Sequence, residues 1–398
     1  MIISIPTITS WRVWGAIPFL LLAALLPYAG SAQGFPDEEA VRRILSERVA
    51  LGRNPGIVVG LLDSLGPRVV TAGVSGRDGV ILDETTVFEI GSATKVFTAA
   101  VLEGMVDRGE VQFEDPVAQY LPRHVEVPRE AEREITLLDL ATHRSGLPRM
   151  PLNFYPEDLK NPYADYTVEE MYAFLSGYEL ERGIGSEWEY SNLGMGLLGH
   201  ALSRKAGMSY ERLVRNMILD PLDMDDTGIH LAPPAVAPFA QGHNALAEPT
   251  PNWDFPTLPG AGALKSTARD MLTFLAANLV DEEGPIFMAL RRTHEVRIPD
   301  IQPGLSMALG WLVNKRFEDR PVIWHNGGTG GFHSFIGLDP MGRKGVVVLT
   351  NGTQSIDDIG FHLLDSRSPL SPPEPLGGSP EQTVGVSGDL PEDSIDGR

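Results

Sequence analysis

The 398-residue chain contains no cysteine. That absence excludes disulfides, thiolate metal sites, a cysteine nucleophile and an acylated-cysteine lipoprotein anchor, so stability outside a cell must come from packing. Positive charge is also short: 32 Lys and Arg stand against 53 Asp and Glu, a net charge of -21. Such a balance offers no footprint for nucleic acid and resists an anionic membrane surface. There is no internal repeat, and strand-like stretches are scarce between residues 110 and 300. Metal-ligand spacing is missing too. His294 in "THEV" lacks the second histidine of a helical zinc site, and His124, His143, His200, His230, His243, His333 and His362 are scattered, as surface or locally hydrogen-bonded residues are. No metal and no cofactor are expected.

What is present begins with Arg12 and the uncharged stretch "VWGAIPFLLLAALLPYAG", followed by small residues at Gly30 and Ala32. Residues 1–32 read as a secretory signal, which makes the protein secreted or periplasmic with no stable membrane anchor after cleavage. The competing reading is an uncleaved anchor, against which Pro18 and Pro27 interrupt the stretch. At the other end, residues 367–398 are rich in Ser, Pro, Gly and acid and are predicted to be disordered.

Between these ends, "PDEEAVRRILSERVALG" has a helical apolar stripe at Val41, Ile44, Leu45 and Val49. "GIVVGLLDS" and "PRVVTAGVSG" read as neighbouring strands. Helical patterns follow, among them "TLLDLATHRSGLP", "TVEEMYAFLSG", "LGMGLLGHALSRKAG" and "STARDMLTFLAANLV". Strand signals return in "MALGWLVNK", "PVIWHNGG", "FHSFIGLDP" and "GVVVLTNG", joined by short turns such as "PMGRKG", as an antiparallel meander requires. This order predicts an α/β fold over residues 37–366. Its α/β part spans about 37–110 and 300–366 and carries one antiparallel sheet flanked by helices. A mainly helical part spans about 110–300, with a cleft between the two.

Three short stretches carry chemistry. In "EIGSATKVFTA", Ser92 and Lys95 lie three residues apart at the start of a helix, so their side chains can meet. A serine hydroxyl needs a neighbouring base, and a lysine whose pKa is lowered by burial supplies one. Alone, the pair reads equally as an N-cap serine with a solvated lysine. In "EWEYSNLGMG", Tyr190 and Asn192 precede a helix; the phenol can relay a proton and the amide can hold a lysine or a substrate carbonyl. A capping turn is the plainer alternative. In "VIWHNGGTGGFHSFIG", His325 is followed by Gly327 and Gly328, which permit close backbone approach and an N–H donor to an oxyanion from Gly328. A tight hairpin would also explain the glycines.

Taken in order, Ser92-x-x-Lys95, Tyr190-Ser191-Asn192 and His325-Asn326-Gly327 resemble the three motifs of the penicillin-recognising serine hydrolases, which include class C β-lactamases, D-alanyl-D-alanine carboxypeptidases and endopeptidases, and related esterases. The likeness extends through "LLDLATHRSGLP", "GALKSTARDM" and "WHNGGTGGF", covering about 40 to 360. It implies an α/β domain faced by a helical domain and an acyl-enzyme on Ser92. Lys95 would accept the serine proton, Tyr190 deliver it to the leaving group, Asn192 orient Lys95 and bind the acyl side-chain amide, and the N–H groups of Ser92 and Gly328 hold the oxyanion.

The third motif departs from the Lys-Thr-Gly of class C β-lactamases. Its histidine is mostly neutral at pH 7 unless perturbed, and Asn326 lacks a hydroxyl for a substrate carboxylate. The combination looks more like some secreted D,D-peptidases. The expected substrate is therefore a D-Ala-D-Ala peptide of peptidoglycan type, with covalent binding of penicillin. A β-lactamase proper, a carboxyl esterase, a D-amino-acid amidase and a non-enzymatic penicillin sensor are the alternatives. Arg343 and Lys344 are candidates to grip a carboxylate, against a plain solvated turn.

Overall fold

The computed structural model describes residues 34–371, apart from positions 53, 79, 232–237 and 317–318. The expected signal at 1–32, and the acidic tail beyond 371, lie outside the described residues. No helix among the described residues is long and apolar enough to cross a membrane.

Helix α1 (Glu38–Ala50) starts where the Asp37 carboxylate accepts the Ala40 N–H at 2.7 Å, and it buries Val41 and Leu45. Strands β1 (Gly56–Asp63) and β2 (Gly66–Gly73) form a hairpin. Then come β3 (Val87–Glu89), α2 (Thr94–Asp107), a small hairpin of β4 (Arg129–Glu130) and β5 (Arg133–Glu134), and helices α3 (Leu137–Ala141), α4 (Val168–Gly177), α5 (Asn192–Ala206), α6 (Tyr210–Val214) and α7 (Pro259–Gly262). β6 (Lys265–Thr267) pairs with β3 and leads into α8 (Ala268–Leu279) and α9 (Pro285–Arg292). The chain then forms β7 (Ile298–Gln302), β8 (Leu305–Met307), β9 (Leu312–Asn314), β10 (Val322–Gly328), β11 (His333–Asp339) and β12 (Lys344–Thr350), and α10 (Asp357–Leu364) follows.

The sheet runs β2-β1-β12-β11-β10-β9-β8-β7, antiparallel throughout, so both ends of the described chain build it, as the sequence predicts. Strand alternation sorts the core into two layers. Ile57, Val59, Val346, Val348 and Phe335 pack with α1 and α10, whereas Val58, Val347, Leu349, Ile323 and Ile336 face the larger core that holds α2, α5 and α8. β12 is buried at every position for this reason.

Three local expectations change. "MALGWLVNK" is not one strand but β8 and β9, broken around Gly310 at φ 69°, and β7 extends the meander by an edge strand whose "IPDIQ" lacks the alternation that would reveal it. Helix α8 packs mainly on β1 and β12, although its sequence lies in the helical part. Gly60 permits this, because a Cβ there would stand 2.9 Å from Leu272 Cδ1. An apolar helical stripe reports that a helix has a buried face, not which layer covers it. Finally, Arg343 and Lys344 sit where Asp339 pairs with Lys344, at the far end of the β11–β12 ladder from the His333–Thr350 pair. That is about 20 Å of strand away from Gly328, and Arg343 is engaged by Asp281, so neither grips a substrate in the cleft.

Helix α2 is buried on nearly all sides, as expected of a helix apolar around its whole circumference. Phe97 stacks on Phe274 with centroids 4.2 Å apart, and Phe274 in turn stacks on Trp311. Because Phe97 is fully enclosed, Phe97→Ala is expected to cost about 3–5 kcal/mol, read as a lowered denaturation midpoint at unchanged slope.

Candidate active site

Ser92 lies in a 3-10 turn (Gly91–Ala93) that runs directly into α2, which places Lys95 one turn on. Lys95 Nζ is 2.9 Å from Ser92 Oγ, 2.8 Å from Asn192 Oδ1 and 2.7 Å from the Ala261 carbonyl oxygen. The lysine is fully buried. Burial holds its amine well below the usual lysine range, and the nearby Arg149 guanidinium pushes in the same direction. A neutral amine has two N–H donors and one lone pair. The Ala261 and Asn192 oxygens can only accept, so they take both donors, and the lone pair is left for the Ser92 hydroxyl. This is the orientation a general base needs.

Ser191 is the N-cap of α5: its Oγ accepts the Gly194 N–H at 2.8 Å and donates to the Pro148 carbonyl at 2.7 Å. That cap fixes Tyr190 on one side and Asn192 on the other. The Tyr190 ring lies 4.7 Å from Lys95 Nζ, and its hydroxyl shares a hydrogen bond with Ser92. Burial pushes the phenol up from its usual value, so at neutral pH it carries its proton. The Asn192 amide donates to Tyr163 Oη at 3.2 Å, which fixes its oxygen toward Lys95.

Strand β10 supplies the opposite wall. Thr329 N–H bonds to Phe332 O, so antiparallel alternation makes 328/333 a non-hydrogen-bonded pair and turns the Gly328 N–H away from β11. It turns toward the serine segment: a Cβ on Gly91 would stand 2.8 Å from both Gly328 N and Gly328 O. At Gly327 a Cβ would collide with Ile90 O and stand 2.7 Å from Ser92 N, so only glycine lets the two backbones meet. The N–H groups of Ser92 and Gly328 thus border one space beside Ser92 Oγ, where an oxyanion could be held.

His325 faces Tyr190 with ring centroids 6.1 Å apart. Burial lowers it to about 3, so the imidazole is neutral. The hydrogen bond to the Asn326 carbonyl pulls the other way but does not offset burial, so the third motif supplies no positive charge. Asn326, one residue on, points through the other face of the sheet, where its amide donates to Asp357 at 2.6 Å. It therefore offers nothing to a substrate.

This arrangement, on this fold, is that of a serine hydrolase of the β-lactamase and penicillin-binding type. Residues 41–363 match the family model described as Beta-lactamase, and the chain belongs to that family. It is 29% identical over 316 residues to the D-alanyl-D-alanine-carboxypeptidase/endopeptidase AmpH of Escherichia coli (strain K12), covering 73% of this chain and 78% of that protein. A Beta-lactamase of Pseudomonas fluorescens is 25% identical, over 74% of this chain and 88% of its own length. Among solved structures, the class C β-lactamase from Rhodobacter sphaeroides superposes with a TM-score of 0.70 at 25% identity, covering 82% of this chain and 99% of that one.

Two residues at the site escape a reading of the sequence by motifs. The segment 143–150 is zipped onto 189–193, with Glu189 N–H on His143 O, Ser191 N–H on His143 Nδ1, and both Asn192 and Leu193 N–H on Arg149 O. His143 is thereby stacked against Tyr190 at 4.6 Å, and Arg149 Cζ comes to 5.0 Å from the same ring. Both lie in or next to the quoted "LLDLATHRSGLP" stretch, but no periodicity links them to a tyrosine some forty residues on.

Glu89, at the end of β3, is buried under the cleft wall, where its carboxylate accepts the Trp253 N–H at 2.8 Å. Burial raises it from 4.5 to about 7, against the opposing pull of Thr329 and Lys265. The native state therefore keeps a proton that the unfolded chain releases near 4.5; this stabilisation is full below that pH and is lost as pH rises through about 7. Glu89→Gln keeps the acceptor and has no proton to lose. Its stability relative to the parent should rise between those pH values, by on the order of 3 kcal/mol. A difference that does not vary with pH in thermal melts would contradict this.

Proposed function

We propose that the protein is a secreted D-Ala-D-Ala peptidase that forms an acyl-enzyme on Ser92 and is also acylated by penicillins. The observation that carries the reading is the fully buried Lys95 amine, whose Nζ stands 2.9 Å from Ser92 Oγ, 2.8 Å from Asn192 Oδ1 and 2.7 Å from Ala261 O. In this reading neutral Lys95 accepts the Ser92 proton as Oγ attacks the carbonyl carbon. The negative charge that develops on the carbonyl oxygen is met by the N–H groups of Ser92 and Gly328. Tyr190, protonated because it is buried, acts as the shuttle rather than the base: it gives its proton to the leaving nitrogen and is reprotonated from Lys95. Asn192 orients the lysine, neutral His325 and Gly327 shape the opposite wall, and water then hydrolyses the acyl ester. The relative named as a D-alanyl-D-alanine-carboxypeptidase/endopeptidase supports the peptide assignment. The neutral third motif also weighs against a site that relies on lysine there. Secretion rests on the composition of residues 1–32, and residues 37–366 form the hydrolase domain in this reading.

The test is incubation of the mature protein with a penicillin, following intact mass and released product, with Ser92→Ala as control. A Ser92-dependent adduct is expected. An adduct lasting minutes or longer fits a peptidase, and one that turns over within seconds moves the assignment to a β-lactamase proper. With neither adduct nor product in a folded sample, the esterase reading takes its place and short acyl esters become the substrates.

A further inference from the structure

The basic groups described around Ser92 divide sharply in charge. Burial holds Lys95 and His143 well below their usual values and lowers His325 to about 3. Arg149 alone keeps its charge in that group, because a guanidinium does not deprotonate in proteins. It is half-buried at the end of the segment zipped to Tyr190, and the Tyr190 ring lies under it at 5.0 Å. Its guanidinium makes no ion pair or hydrogen bond with any described residue. Arg48, Arg133 and Arg297, by contrast, each meet an acidic side chain. The planar fork of an arginine matches a carboxylate, and here it is held in place without one.

We propose that Arg149 forms a subsite for a carboxylate on the leaving group of the substrate, which makes the site selective for acyl donors ending in a free α-carboxylate. This rests on the reading of Tyr190 as the proton donor to the leaving group. When an α-amino or α-hydroxy acid leaves, its carboxylate carbon is two bonds, about 2.5 Å, from the departing atom. The cation lies over the ring of the tyrosine that would protonate that atom, and its charge acts on both the phenol and Lys95. The subsite also answers a charge problem: in a chain of net charge -21 an anionic substrate needs a local cation at the point where it binds. It occupies the role that a lysine in the third motif would otherwise fill.

Arg149 also repels the Lys95 ammonium, so removing it changes acylation of every substrate by a common factor. A ratio between two substrates cancels that factor. The probes are an acyl-D-alanyl ester of D-lactate with a free carboxylate and the same ester with that carboxylate converted to its methylamide. Both suit a peptidase or an esterase. The parent should prefer the free acid by tenfold or more in kcat/KM. Arg149→Gln should abolish that preference, chiefly through KM, and Arg149→Lys should retain part of it. An acid-to-amide ratio unchanged by Arg149→Gln, or equal use of both esters by the parent, would overturn the subsite. If a folded parent turns over neither ester in a Ser92-dependent way, the functional reading fails and the subsite with it.

Discussion

The structure depends on one constraint: a lysine amine buried without any anion to balance it. A charged Lys95 in that position would be very costly, and burial accordingly holds its pKa well below the usual lysine range. Its two donors end on the Asn192 amide oxygen and the Ala261 carbonyl, groups from α5 and α7 that converge on α2. The close approach of these helices relies on glycine, since a Cβ on Gly260 would stand 2.9 Å from Met195 O and 3.1 Å from the Gly199 Cα. The same packing that makes α2 a core helix therefore buries the Lys95 amine beside Ser92 and suits it to the base role proposed for it.

The sheet contributes through geometry rather than charge. Pairing of β10 with β11 sets which N–H groups stay in the ladder, and the non-hydrogen-bonded pair at Gly328 releases one of them toward Ser92. Ser334 Oγ donates to Ile90 O at 2.7 Å and ties the serine turn to β11, so the nucleophile and strand edge are held as one body. Alternation along β10 also divides the third motif. His325 turns into the cleft, and Asn326 turns away to Asp357 on the side of α10.

Much of this was legible in the sequence where a short-range rule applies. One helical turn joins Ser92 to Lys95, the Ser191 cap places Tyr190 and Asn192 on either side of a helix start, and β-branched runs such as "GVVVLT" mark buried strands. What the sequence hid is long-range. The backbone ladder from 143–150 to 189–193 carries His143 and Arg149 to Tyr190, and no local pattern announces it. The side of the sheet covered by α8 and the end of β12 at which Arg343 and Lys344 emerge are decided by packing and register. That His325 is mostly neutral follows from its residue type; only its complete burial, which lowers it further to about 3, needed the structure.

The electrostatic picture is consistent across these parts: Lys95 held well below its usual range, a neutral His325, a protonated Tyr190 and a cation at Arg149. The most direct test of its centre is the protonation state of Lys95 itself, followed by the chemical shifts of its side-chain nitrogen and ε-carbon in isotope-labelled protein, assigned with Lys95→Met. A neutral amine at pH 7, protonated only on acidification, is the expected result. An ammonium signal that persists to the usual lysine range above pH 10 would contradict it.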